Sequence, residues 1–231
     1  MSREIINEKN NSKNSSGISI KEYYLVRDIH NKIMANMDEY FEKDKYNLKQ
    51  KLSEVGPYLT KELNCKEEEL KDYFDFDNDN IDIFYEVFYY DNHPNLVSIT
   101  KEYVEKGIFK ELEEIKMLEA MENSYSSLFQ INNINDIYIE LEDIFTKEKI
   151  EIIDTTLTVL SNISKDIYLY SRIINYNNIS FIACTPIIIK KEKEEIKNYI
   201  NNYDKNKSSL SRCLELYQIE KKIIKKVDTN M

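Results

Sequence analysis

Glycine is nearly missing from this chain: Gly17, Gly56 and Gly107 are the only three in 231 residues. A loop that cradles phosphate needs closely spaced glycines, because only backbone without Cβ can approach the anion that nearly. Neither a P-loop nor a dinucleotide fingerprint is therefore expected. Histidine occurs twice, at His30 and His93, 63 positions apart, which leaves little for a His-based metal site or a proton relay. The three cysteines, Cys65, Cys184 and Cys213, are odd in number and form no CxxC pair. That pattern supports neither a zinc knuckle nor a disulfide framework, and reduced thiols are the expectation. No Gly-x-Ser-x-Gly elbow is present. Tryptophan is absent altogether, and no apolar run approaches the roughly eighteen residues of a spanning helix. The opening residues MSREIINEKNNSKNSSG lack the apolar core of a secretory signal. These absences together lead us to expect a cytoplasmic protein that is not an enzyme, holds no cofactor and engages no membrane.

What the chain does contain is enough for a core: 42% hydrophobic residues, with 18 Tyr and 9 Phe. Its net charge of −10 argues against non-specific nucleic-acid binding by the whole molecule, since counterion release needs a cationic face. The charge is uneven. Residues 190–228 carry eleven Lys/Arg against seven Asp/Glu, which makes that end +4 and leaves −14 for the remainder. Solvated helix faces and lysines complementing a helix C-terminus account for such a basic end without any ligand.

Residues 1–18 are polar and read as a disordered arm. Residues 19–123 then read as helical. Ser19 is placed to cap a helix whose apolar stripe is Tyr23, Val26, His30, Ile33, Met37 and Tyr40, and His30 lies on that stripe as a core or interface residue. Further helices are expected over 46–55, 57–63, 66–74, 81–90 and 97–106, the last ending at Gly107, a residue suited to a left-handed cap. His93 falls in a loop beside Pro94. A helix running from Ile108 closes near Asn123.

From there the apolar period shortens from 3.6 to about 2. The runs 127–131, 136–144, 149–154, 166–174 and 179–189 are rich in Ile, Tyr and Phe and joined by short links, apart from a longer connection over 155–165. Five such strands over residues 124–190 predict a small antiparallel barrel-like sheet, with Pro186 at a bend or edge because it cannot donate to a ladder. Residues 191–231 return to helix and are expected to pack back on the body. The fold class is α+β.

One motif suggests a metal. Asp75, Asp77, Asp79 and Glu86 occupy positions 1, 3, 5 and 12 of a calcium loop. Against it, Asn80 stands where the turn calls for Gly, Asp82 places a charge where an apolar residue pairs with a sister loop, and no sister loop follows. An acidic inter-helix loop without a metal is the expectation, with these four carboxylates as the calcium candidates and carboxylate-metal hydrolysis the one enzymatic chemistry left open.

Three segments carry a resemblance. DYFDFD (72–77), ELEEIKMLEAMENSYSSLFQINNI (111–134), and IYIELEDIFTKEKIEIIDTTLT (137–158) followed by IYLYSRII (167–174) resemble, in order, segments of bacterial proteins of the SEC-C-associated type, with Tyr73 in place of Trp and with Asp143 and Arg172 matching. The resemblance spans residues 70–190 and implies a helix leading into a small sheet. The cysteine-rich, zinc-binding tail of that group has no counterpart here, so it implies no metal and no adaptor role resting on that tail. Two functional readings follow: a protein-interaction module of undefined partner, and, as the alternative, a nucleic-acid-related protein, through its basic C-terminal helix or through an acidic body that mimics nucleic acid.

Overall fold

The computed structural model describes residues 19–43, 57, 60–61, 66, 81–92, 97–109 and 111–228. The expected arm at 1–18, most of the helices expected between 46 and 74, His93 and the carboxylates Asp75, Asp77 and Asp79 lie outside the described residues.

Four helices precede the sheet: α1 (Ile20–Lys43), α2 (Ile81–Tyr90), α3 (Ile99–Lys106) and α4 (Leu112–Glu122). Three of them, α1, α3 and α4, begin where their side chains dictate. Ser19 and Glu22 exchange bonds at the start of α1, with the Glu22 amide reaching Ser19 Oγ at 3.4 Å and the Ser19 amide reaching Glu22 Oε2 at 2.6 Å. Ser98 Oγ accepts the Lys101 amide at the start of α3, and Glu111 with Glu114 forms the reciprocal pair that opens α4. Gly107 ends α3 at φ 64° and donates its amide to the Val104 carbonyl, so Ile108 and Phe109 leave the helix and α4 begins four positions later than the apolar spacing suggests. A Cβ at Gly107 would meet nothing within 4 Å. The cost of Gly107→Ala is therefore conformational alone, about 1–2 kcal/mol in urea unfolding, whereas Gly107→Asn should lose visibly less.

The sheet is antiparallel throughout: β1 (Tyr125–Asn135), β2 (Tyr138–Asp143), β3 (Lys149–Ile153), β4 (Ile167–Tyr176), β5 (Ile179–Ile182) and β6 (Ile187–Lys190), in the order β3-β2-β1-β4-β5 with β6 also on β4. The expected barrel-like run over 179–189 is divided in two by residues 183–186, which end in Pro186. Both halves line up along β4: β5 pairs its C-terminal half (Ile173↔Ile182) and β6 its N-terminal half (Tyr168↔Ile189). The β4–β5 turn places Asn177 and Asn178 at φ 49° and 65°, the two positive values that a tight hairpin needs and that Asn tolerates. In β1 a register shift between Ile131 and Asn133 bends the strand and keeps both Ile131 and Ile134 on one face. The sheet curls until β3 approaches β5 without a ladder between them, an open half-barrel.

The curl has its own interior of Phe129, Ile139, Leu141, Ile152, Leu169 and Ile173, closed by Leu157 and Leu160 from the 3-10 turn Leu157–Leu160. Asp154 holds that turn, its Oδ1 accepting the amides of Thr156 (2.7 Å) and Leu157 (3.0 Å). The opposite face, with Tyr170, Ile174, Tyr176, Phe181, Ile187 and Ile189, joins a larger core with α1 through α4. To that core α5 (Glu194–Asn201) brings Ile196, and α6 (Ser209–Asp228) brings Leu210, Cys213, Leu214, Leu216 and Tyr217. No helix among the described residues is long and apolar enough to cross a membrane.

Candidate functional site

β4 is buried on both faces, yet its helix-facing register includes Arg172, 1% exposed. Alternation puts Arg172 in phase with Tyr170 and Ile174, so its guanidinium enters the core beneath α2. Partners meet it there. Nε donates to Glu86 Oε1 at 3.1 Å, Nη1 to the Ser124 carbonyl at 3.3 Å and to its Oγ at 3.1 Å, and Nη2 to Asp91 Oδ2 at 2.5 Å. The Tyr90 ring lies against it at 5.0 Å. Ser126 Oγ donates to the same Glu86 oxygen at 3.0 Å. Burial pushes the Glu86 carboxyl above the ordinary carboxylate value, and Arg172 and the Ser126 hydroxyl only partly pull it back. For Arg172, burial opposes the charge, but Asp91 and then Glu86 outweigh it and hold the guanidinium pKa raised. The network runs on to α1, where Tyr90 Oη meets His30 Nε2 at 2.9 Å. His30 is a core residue, edge-on to Phe181, and burial followed by the charge of Arg27 lowers its pKa to about 4.

The other matching charged residue, Asp143, also acts within the fold: its Oδ1 accepts the amides of Phe145 (2.7 Å) and Thr146 (3.0 Å), shaping the turn from β2 to β3. Glu86, the calcium candidate at position 12 of the acidic loop, is engaged within the fold. It sits on α2 with its carboxylate turned into the core toward Arg172 and Ser126, because an unpaired guanidinium could not be buried there. Among the described residues no three His, Cys, Asp or Glu side chains gather as a metal-holding group. Cys213 is a free thiol, buried with its pKa well above the usual value through desolvation.

Arg172 is enclosed, so the open features lie elsewhere. A cleft of about 260 Å³ between α5 and α6 is lined by Tyr199, Tyr203, Glu215 and Ile219. Phe145 stacks on Tyr203 at 3.6 Å, and Lys207 bonds Glu215. A larger groove of about 370 Å³ lies over α1, α3 and α4, with Tyr40, Tyr103, Ile108 and Phe109 as its apolar lining and Glu39, Glu111 and Glu114 among its polar residues. Tyr40 and Tyr103 meet edge to face at 5.9 Å. Lys32 bridges Glu114 at 2.9 Å and Glu111 at 3.4 Å. Sequence reasoning missed this groove, since its residues come from three helices and from the turn that Gly107 forces.

Fold and site define an α+β protein in which a curled antiparallel sheet is tied to a helical layer by a buried arginine, with its apolar groove on the helices. The chain belongs to the family of unknown function DUF7986, which matches residues 18–229. No curated protein and no solved structure matches it.

Proposed function

We propose that this chain is a non-enzymatic protein-interaction module of a reducing, cytoplasmic compartment. The observation that carries the reading is the groove over α1, α3 and α4, where aromatic side chains line a concave surface and the apolar Ile108 in its lining is 38% exposed. Exposed apolar surface beside a polar rim is the composition of a contact site. A free thiol at Cys213 suits the compartment. A relation of residues 70–190 to SEC-C-associated proteins belongs to the same proposal, and the enclosed positions of Arg172 and Asp143 support it as a relation of fold.

Capture from a host lysate with the tagged full chain, followed by mass spectrometry, tests the reading. Saturable retention of a defined protein, absent with an unrelated acidic protein of similar size, is expected. Retention of nothing beyond that control, or of nucleic acid alone in a parallel gel-shift titration, counts against it and for the nucleic-acid alternative in the second case.

A further inference from the structure

We infer that the free edge of β6 receives an extended segment of a partner protein, an inference that rests on the interaction-module reading but uses a surface apart from the groove. The segment adds as an antiparallel strand with an acidic residue two positions before an aliphatic one. The β4–β6 register decides which backbone groups face that edge. The Lys191 amide donates to the Asp166 carbonyl at 2.8 Å, and these two stand opposite each other one step beyond Lys190 and Ile167. Bonded and non-bonded pairs alternate along an antiparallel ladder. Ile187 and Ile189 therefore turn their N–H and C=O groups to Tyr170 and Tyr168, while Ile188 and Lys190 turn theirs outward. Among the described residues nothing bonds those outward groups. Along β5 the same edge is occupied: the outward carbonyl of Ile182 accepts Arg27 Nη1 at 2.7 Å, and β3 approaches it.

Side chains set the chemistry of the occupant. Cross-strand neighbours share a face, so Ile188 continues the row of Phe129 and Leu169 from the interior of the curl and ends it 39% exposed. An aliphatic residue opposite Ile188 extends that row. Lys190 lies on the same face two positions on, exposed and in no ion pair among the described residues. An antiparallel segment runs backwards along β6, so its acid, opposite Lys190, comes two positions before its aliphatic residue. A second copy of the chain fits less well. β6 reads IIIK and holds no acid, so β6 paired with itself leaves both lysines without an opposite charge. Main-chain bonds to an exposed edge, with alternate side chains giving the selection, are a known mode of peptide recognition.

The test uses the full chain and a fluorescein-labelled probe, Ac-Thr-Glu-Val-Ile-Thr-Thr-amide, read by anisotropy, with saturable binding expected. Methylating the probe's Ile amide, which faces β6 in this pairing, should weaken it about tenfold, whereas methylating its Val amide, which faces away, should cost less than about threefold. Lys190→Glu should weaken the probe about fivefold, and a probe with Lys in place of Glu should recover that loss on the variant. Ile188→Pro removes an outward donor, spares the β4 ladder and should weaken the probe about tenfold. The control Lys21→Glu makes the same charge change at an exposed position on α1 and should stay within about twofold. An unchanged melting midpoint confirms that each variant folds, and the two methylated probes decide on the wild type alone if Ile188→Pro does not. No probe binding to the wild type, equal weakening by the two methylations, or equal weakening by Lys190→Glu and Lys21→Glu overturns the inference. Residues Glu4 and Ile6 of the chain hold the same acid-to-aliphatic spacing. Binding that appears only after Glu4→Lys with Ile6→Ser therefore overturns it and assigns the edge to the chain's own residues. So does a wild-type dimer in sedimentation that Lys190→Glu or Ile188→Pro dissolves. A host protein captured equally by wild type and by the folded edge variants overturns the edge assignment while the interaction reading stands. Capture of no protein at all removes the reading itself.

Discussion

Arg172→Met lowers the unfolding free energy by about 3–5 kcal/mol, the range for breaking a buried ion pair from one side. In a chain of this size that is a fall of roughly 6–20 °C in melting midpoint. The loss arises because Glu86, 6% exposed, keeps only the Ser126 hydroxyl of its two named donors and the Ser124 carbonyl loses the guanidinium. Two further measurements separate this cause from mere loss of packing. Arg172→Met combined with Glu86→Leu should recover a substantial part of the loss, since the stranded carboxyl is gone. The single variant should also be hurt less at pH 5 than at pH 8. Burial already raises the Glu86 pKa, and without Arg172 its largest opposing influence is removed, so the pKa rises further. An acid with a raised folded pKa favours the fold below its unfolded value and loses that contribution as pH climbs through the folded one. A penalty independent of pH, with no recovery in the double variant, would mean that Arg172 acts only by filling space.

His30 gives the second large effect, on the acid side. Its pKa is lowered to about 4, mainly by burial, against an ordinary value of 6.5. The unfolded chain therefore binds a proton that the folded chain refuses between those values. The stability this neutral imidazole contributes is whole above pH 6.5 and drains away as pH falls toward 4, by roughly 3 kcal/mol in total. His30→Gln keeps a polar group for the Tyr90 hydroxyl and removes the titration. Its stability at pH 7.5 should be lower than wild type by about 1 kcal/mol, for the altered contact, while the slope between pH 6.5 and 4.5 flattens. An unchanged slope in urea titrations across that range would place the acid lability elsewhere.

Much of the architecture is legible from residue order. IDIFYEVFYY is a helix over the expected residues 81–90, Gly107 caps as its permissive backbone suggests, and the change of apolar period near residue 124 marks the entry to the sheet. Strand ends are less legible, because polar Asn132, Asn133 and Asn135 read as a link but continue β1 past its bulge. The arginine node could be half seen. Alternation along DIYLYSRII sets Arg172 on the face shared by Tyr170 and Ile174, which implies an acid waiting in the core. Nothing local says that the acid is Glu86, 86 positions away, whose spacing from the aspartates suggested calcium instead. The groove was not visible at all, being made by how three helices lean together.

The hydrogen bond from Arg27 on α1 to the carbonyl of Ile182, at 2.7 Å, spans 155 positions. It has a consequence for synthesis. The first helix leaves the ribosome with Val26, Ile33 and Met37 exposed; α3 and α4 come to pack on it, whereas β5, which carries Ile182 and Phe181, is made later, with β6, α5 and α6 after it. At roughly 5–20 residues per second, the interval between α1 and β5 is on the order of 10–30 s. During that time the face of α1 that carries Arg27 and His30 lacks the Phe181 ring that covers it in the finished fold, which makes it a client for chaperones that work at the tunnel exit. Slowing translation after the first helix should then raise aggregation of this protein more than slowing it after Ile189.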